Sequence, residues 1–298
     1  LSQPKQQTGF LADAVHTGTP RNTVREAARM LEESGVPEPL ASAEILMSEL
    51  VGRPRGELSL IPEPLCGDKA ALYESWVLRR RLREPVQRIL GHAYFRNLTL
   101  ELGAEALIPR PDTESVVDAA LEAVDRLGGG CRVLDLGTGS GAIAVSIADE
   151  RPACEVHASD LSGETLRVAR KNAARAGRCT RFHHADLAAG LDSLAGGVDV
   201  LVSNPPYVPT AELDRLEPEV RDWDPHTALD GGGDGLDLYR RIFAESSPLL
   251  APDARLVLEV GDGQAEAVQS LGRDAGYEPL GTRTDLTRAV RAVLLGRP

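Results

Sequence analysis

The chain has 298 residues, 42% hydrophobic and 26% charged, which is room for two domains or one large α/β unit of ordinary globular composition. Its net charge of −12 and aromatic content of 4% argue against a protein whose main task is to track nucleic acid, which takes a basic surface and stacking rings. No apolar stretch reaches bilayer-spanning length, no basic-then-apolar leader opens the chain, and Cys66, Cys131, Cys154 and Cys179 are dispersed without a CxxC pair. Membrane insertion, secretion, structural zinc and a disulfide framework are therefore not expected, and a reducing, cytoplasmic setting is.

Residues 1–20 are polar and irregular, and a flexible tail is expected there. Helical periodicity starts next. Val24, Ala27, Ala28 and Leu31 repeat at i, i+3, i+4, i+7 before Gly35, and Ala43, Leu46, Met47 and Leu50 repeat before Gly52. A third helix is predicted over 69–83 with Tyr73, Trp76 and Val77 inward, and a short fourth after Pro85. Residues 21–91 thus read as a small helical bundle. Arg79, Arg80, Arg81, Arg83, Arg88 and Arg96 cluster at its end, either as a solvated face or as a dock for an acidic partner. Leu98, Leu100 and Leu102 alternate with polar residues, which predicts a hairpin linker over 92–111. Thr113 is placed to cap a helix that buries Val117, Ala120, Leu121 and Val124.

Over 112–298 short β-branched or apolar runs at 132–136, 155–159, 181–185, 198–202 and 255–260 mark strands. Helical stretches at 141–149 and 163–176 separate the first of them, and closing strands are expected near 277–282 and 289–295. Strand–helix alternation predicts a Rossmann-like α/β domain, a parallel sheet with helices on both faces.

Gly137-Thr138-Gly139-Ser140-Gly141 joins the first of these strands to its helix. Glycine lets backbone approach a ligand and take positive φ, but the spacing is neither the dinucleotide fingerprint nor a phosphate-binding loop. Asp160 ends the next strand, where a carboxylate can accept both hydroxyls of a ribose. Asp186, after the following strand, is placed to accept from an exocyclic adenine amine, and Leu187 to cover the ring; solvated loop roles stand beside both readings. Asn204-Pro205-Pro206-Tyr207 follows the 198–202 strand. Its prolines stiffen the turn and remove donors, leaving an acceptor-rich frame suited to a planar NH₂ group; a plain strand-end loop is the competing reading. Strand ends of such a sheet share one crevice, so these segments imply an adenosine-bearing ligand without a phosphate clamp, beside a grip for NH₂. S-adenosylmethionine with an amine or amide acceptor meets these demands.

Taken with Ile108-Pro109-Arg110-Pro111-Asp112-Thr113-Glu114 and Leu258-Glu259-Val260-Gly261, the chain resembles the HemK family, the protein-glutamine N5-methyltransferases that modify peptide chain release factors. The resemblance implies a class I S-adenosylmethionine-dependent methyltransferase with a small N-terminal helical bundle for substrate recognition, S-adenosylhomocysteine as the spent cofactor, and a release factor as partner. It implies cofactor contacts at Gly137, Thr138, Gly139, Ser140, Gly141, Asp160, Asp186, Leu187 and Asn204. It also implies a substrate glutamine held by Asn204, Pro205, Pro206 and Tyr207, with the Asn204 side-chain oxygen and the Pro205 carbonyl as acceptors. A monomer without metal, stable nucleic acid or membrane is expected. The alternatives are methylation of a ribosomal-protein glutamine or a nucleic-acid base amine, or a non-catalytic cofactor-binding scaffold. Arg110, Asp112 and Glu114 are read equally well as functional groups or as an ion-pair network. The acidic run 212–224 is read as a lid or a solvated helix, and 230–235 as glycine-rich enough to hinge.

Overall fold

A computed structural model describes residues 18–297, so most of the tail expected over 1–20 lies outside the described residues. The described chain forms one unit ending at Leu90 and a second beginning at Gly91.

In the first unit two helices, Pro20–Glu33 and Pro39–Val51, open on proline, whose fixed φ suits a first turn that needs no amide proton. Gly52 closes the second helix in the left-handed conformation at φ 67°, and its N–H returns to the Ser48 carbonyl. These two pack with Gly67–Arg81 and Val86–Leu90 around Leu31, Leu46, Met47, Tyr73 and Val77, while Trp76 is only half-buried. Burying a large apolar side chain contributes about 1.5–3 kcal/mol, against which the entropy of ordering it is set. Three of the clustered arginines brace this bundle internally. Arg79 pairs with Glu84 at 2.5 Å, buried Arg80 donates to Ser42 Oγ and the Glu84 carbonyl, and Arg81 donates to Ser34 Oγ. These three arginines thus have internal partners, a role beside the solvated face and the dock expected of the cluster.

The second unit opens with an antiparallel hairpin, β1 (His92–Phe95) and β2 (Leu98–Glu101). Seven further strands make one sheet: β3 (Arg132–Leu136), β4 (Glu155–Asp160), β5 (Thr180–His184), β6 (Val198–Ser203), β7 (Leu250–Glu259), β8 (Glu278–Thr284) and β9 (Val290–Gly296). Their order is β5-β4-β3-β6-β7-β9-β8. Neighbours from β5 to β7 run parallel, but β9 pairs antiparallel with both β7 and β8, so the sheet is mixed where a parallel one was expected.

Alternation along the central strands builds two cores. Val133, Val200, Val202 and Val257 face the helices Thr113–Arg126 and Ala142–Glu150, while Leu134, Leu136, Leu201, Leu256 and Leu258 face Tyr239, Ile242, Phe243 and Val268. Strand order reverses between β3 and β6, and in α/β sheets the ligand crevice lies beyond the carboxyl ends at such a point. The hairpin is tied to this edge by buried Asn172. Its Oδ1 accepts from Glu101 N–H at 2.8 Å, and its Nδ2 donates to the carbonyls of Glu101 and Ser140 at 3.0 and 2.8 Å. Arg96, in the hairpin turn, ion-pairs with Glu150 and Asp118, which gives the last of the clustered arginines a structural role too.

Candidate active site

The crevice is built first from the turn between β3 and its helix. Gly137, Gly139 and Gly141 sit at φ 71°, 57° and 87°, where a Cβ would be strained. Space explains them differently. A Cβ at Gly137 or Gly139 would meet nothing within 4 Å, so these two present open backbone, whereas one at Gly141 would press on Val145 and Ala169 at 3.2 and 3.3 Å. The N–H groups of Gly137 and Thr138 both donate to the Ser159 carbonyl at 2.9 Å, locking the turn to β4.

Asp160 ends β4 with its two oxygens directed by different loops. Oδ2 accepts from Gly139 N–H and Oδ1 from Ser162 N–H, each at 2.9 Å. A carboxylate has about four lone-pair sites, so both oxygens retain acceptor capacity toward the crevice. Beneath the turn lies Asp135, fully buried in β3, with Oδ2 accepting from Thr138 Oγ1 at 2.6 Å and from Ala144 N–H at 3.2 Å. Its Oδ1 is buried without a hydrogen-bond partner, and burial pushes the carboxyl up to about 7.

Asn204-Pro205-Pro206-Tyr207 leaves the end of β6 on the same edge. Ser203 Oγ donates to the Leu136 carbonyl at 2.7 Å, tying the strand ends of the two motifs together. Asn204 is half-buried and its Nδ2 donates to Thr113 Oγ1 at 3.3 Å. Thr113 is therefore not the helix cap expected of it: Asp112 precedes the helix, without a side-chain cap bond, and Thr113 is turned to the site. Glu259, a buried carboxyl at the end of β7, is pushed up to about 7 by burial. Tyr207 is half-buried against the second core, and burial followed by the Glu259 charge raises its hydroxyl.

Residues further along the chain support this turn. Gln264 Nε2 donates to the Tyr207 carbonyl at 2.9 Å, and Gln264 Oε1 accepts from Gly261 N–H at 3.0 Å. In the 230–235 loop a Cβ at Gly231 would lie 2.7 Å from Tyr207 Cα, and one at Gly235 would strike the Tyr207 carbonyl oxygen. Gly231 and Gly235 therefore serve close approach. Arg110 pairs with buried Asp224 at 2.5 Å, so the acidic 212–224 run is anchored at its end. Asp112 pairs with Arg291, and Glu114 accepts from Arg96 N–H. The 108–114 heptad is thus largely a clamp whose Thr113 reaches the site.

Asp186 and Leu187 follow β5 less directly. Asp186 is exposed and paired with Arg241 at 3.0 Å, so its carboxylate is already engaged. Leu187 is half-buried at φ 51°, and its carbonyl accepts from Ser159 Oγ at 3.1 Å.

Open glycine backbone, a strand-end carboxylate with spare lone pairs, and an orphaned buried acceptor beneath the turn fit an adenosyl sulfonium cofactor. With this strand order they define a class I S-adenosylmethionine-dependent methyltransferase. The fold of the hMettl16 catalytic domain, in complex with a MAT2A 3′UTR hairpin, is similar: TM-score 0.54 and 17% identity, over 76% of this chain and 79% of that one. Residues 22–91 match the family described as PrmC N-terminal domain, and 117–216 the one described as Methyltransferase small domain. The release factor glutamine methyltransferase of Rhodospirillum rubrum is 42% identical over 90% of this chain and 82% of its own length. That of Streptomyces coelicolor is 42% identical over 82% and 86%. The chain belongs to the release factor glutamine methyltransferase family.

Proposed function

We propose that the chain transfers a methyl group from S-adenosylmethionine to the side-chain amide nitrogen (N5) of a glutamine in a peptide chain release factor. The observation that carries this reading is the rigid Asn204–Tyr207 turn beside the open glycine turn, in a chain 42% identical to enzymes named for that reaction. The helical unit, which matches the PrmC N-terminal domain over residues 22–91, is read as the part that recognises the protein substrate. Among the described residues no helix is long and apolar enough to cross a membrane. A release-factor substrate goes with a cytoplasmic setting.

Gly137, Gly139 and Gly141 shape the turn that holds the cofactor, with Thr138 and Ser140 within it, and Asp160 accepts the ribose hydroxyls. Leu187 flanks the adenine, and Asp186 serves there only if it yields its bond to Arg241. When bound, the cofactor supplies an electrophilic methyl carbon. A carboxamide nitrogen is a poor nucleophile because its lone pair is delocalised into the carbonyl, the resonance that flattens a peptide bond. Asn204 Oδ1 and the Pro205 carbonyl accept hydrogen bonds from its two N–H groups. Both bonds strengthen as the nitrogen becomes cationic, which stabilises the transition state more than the ground state. Tyr207 packs on the amide plane and Pro206 stiffens the frame, so orientation supplies a further share of the rate. One amide proton is released to water after the nitrogen–carbon bond forms.

Asn204→Ala should lower single-turnover methyl transfer by about 10²–10³-fold, as loss of one aimed polar group does. Cofactor binding by calorimetry should largely persist. A parental rate in the variant contradicts the assignment.

A further inference from the structure

We propose that Asn172 is a positioning residue for the cofactor turn, the link through which that turn and the β1–β2 hairpin are held as one body. The inference rests on the reading of Gly137–Gly141 as the cofactor site and deepens it. Asn172 lies on the helix Gly163–Arg175 and is 2% exposed. A carboxamide carries an acceptor oxygen and two N–H donors, and burying any of them unpaired is costly. All three are engaged here. Oδ1 accepts from the Glu101 N–H at 2.8 Å, and Nδ2 donates to the Glu101 and Ser140 carbonyls at 3.0 and 2.8 Å.

Both ends of this link are directed by the backbone. The Leu102 N–H returns to the Gly91 carbonyl, so the polar groups of Glu101 point to the opposite edge of β2, where Asn172 takes the place of a neighbouring strand. At the other end, β4 grips the turn at Gly137, Thr138 and Gly139, through the Ser159 carbonyl and Asp160 Oδ2. Ser140 lies past these bonds, and its carbonyl is fixed by Asn172. The same helix bears on the turn directly. A Cβ at Gly141 would lie 3.3 Å from that of Ala169, which is one turn before Asn172 on the same face.

A tether for the hairpin alone does not account for these bonds. Glu101 uses the oxygen and one proton of the carboxamide, and the chain leaving the hairpin is held to this helix elsewhere as well. Thr165 Oγ1 donates to the Glu105 carbonyl at 3.3 Å, and a Cβ at Gly103 would lie 2.8 Å from Val168 Cγ2. The second Nδ2 proton goes to the cofactor turn. A ligand that steadies the turn therefore steadies Ser140, Asn172 and the outer edge of β2 with it, and the coupling acts equally in both directions.

The test uses the full chain with S-adenosylhomocysteine as the probe. In the parent, backbone amide exchange at Glu101 should slow about threefold or more when the probe is added, since that N–H ends on Asn172. Asn172→Asp keeps the size and Oδ1 but loses both donors. Its affinity for the probe by calorimetry should fall about tenfold or more, and the probe should no longer slow exchange at Glu101. Gly103→Ala is the comparison, because it strains the hairpin exit against Val168 without touching the bond to Ser140. Its denaturant midpoint should fall while its affinity for the probe stays parental. Parental affinity in Asn172→Asp, equal losses of affinity in the two variants, or unchanged exchange at Glu101 in the parent overturns the proposal. The exchange measurement on the parent decides the matter if Asn172→Asp fails to fold. If Asp160→Ala loses affinity in the same titration while Asn172→Asp does not, only the positioning role has failed. If Asp160→Ala binds the probe as the parent does, the cofactor reading beneath it has failed as well.

Discussion

Replacing Gly235 by alanine should damage both stability and catalysis, although residue 235 touches no proposed substrate or cofactor group. Gly235 sits at φ 76°, and a Cβ there would strike the Tyr207 carbonyl oxygen, lie 2.7 Å from Gln264 Nε2 and 3.2 Å from Pro209 Cδ. The left-handed backbone costs a β-carbon about 1–2 kcal/mol. Displacing the Tyr207 carbonyl sacrifices its 2.9 Å bond from Gln264, a further ~0.5–1.5 kcal/mol. The expected loss is therefore about 1.5–3.5 kcal/mol, read as a lower denaturant midpoint. Because the displaced atom belongs to the Asn204–Tyr207 turn, single-turnover methyl transfer should fall by about 10²-fold for a shift near 1 Å. Gly233→Ala is the control: a Cβ there meets nothing within 4 Å and φ is not positive, so its midpoint and rate should match the parent. Equal behaviour of the two variants would refute the close-approach reasoning.

Asp160→Ala should weaken cofactor binding by about tenfold or more in calorimetry, since each hydrogen bond to a charged acceptor contributes ~1.5–3 kcal/mol; unchanged affinity rules out the ribose role. Asp135 makes a prediction about pH and stability. Burial raises its folded-state value from 3.8 to about 7, so the folded chain holds the proton more tightly than the unfolded one. Its contribution is full below about pH 4 and is lost as pH rises to 7, by at most ~4 kcal/mol at 1.36 kcal/mol per unit. Asp135→Asn, whose amide oxygen keeps both bonds, should flatten the stability–pH curve across that window, and parallel curves for variant and parent contradict the burial account.

Much of this site was legible because its chemistry is local in sequence. The glycine turn, Asp160 and the Asn204–Tyr207 turn each follow an apolar strand, and strand ends of an α/β sheet converge. What period and spacing do not report is tertiary partnership. Thr113 looked like a cap because hydroxyls cap helices, but its partner lies ninety-one positions away. The arginines of 79–81 looked solvated because a run of like charge usually is; their partners Ser34, Ser42 and Glu84 carry no pattern that predicts pairing. The antiparallel β9 was unreadable as such, since apolar runs do not encode direction. The sequence carries one further signal. Asp135 and Glu259 are carboxylates inside apolar strand runs, and a charge in such a place is buried with a purpose more often than not.

The central claim is the identity of the acceptor atom. Incubation of the full chain with S-adenosylmethionine carrying a labelled methyl group and purified release factors, followed by mass spectrometry of the digested products, places the methyl directly. The account predicts one methyl on a glutamine side-chain amide of a release factor, absent with Asn204→Ala. A label found only on another residue type or on nucleic acid would contradict it.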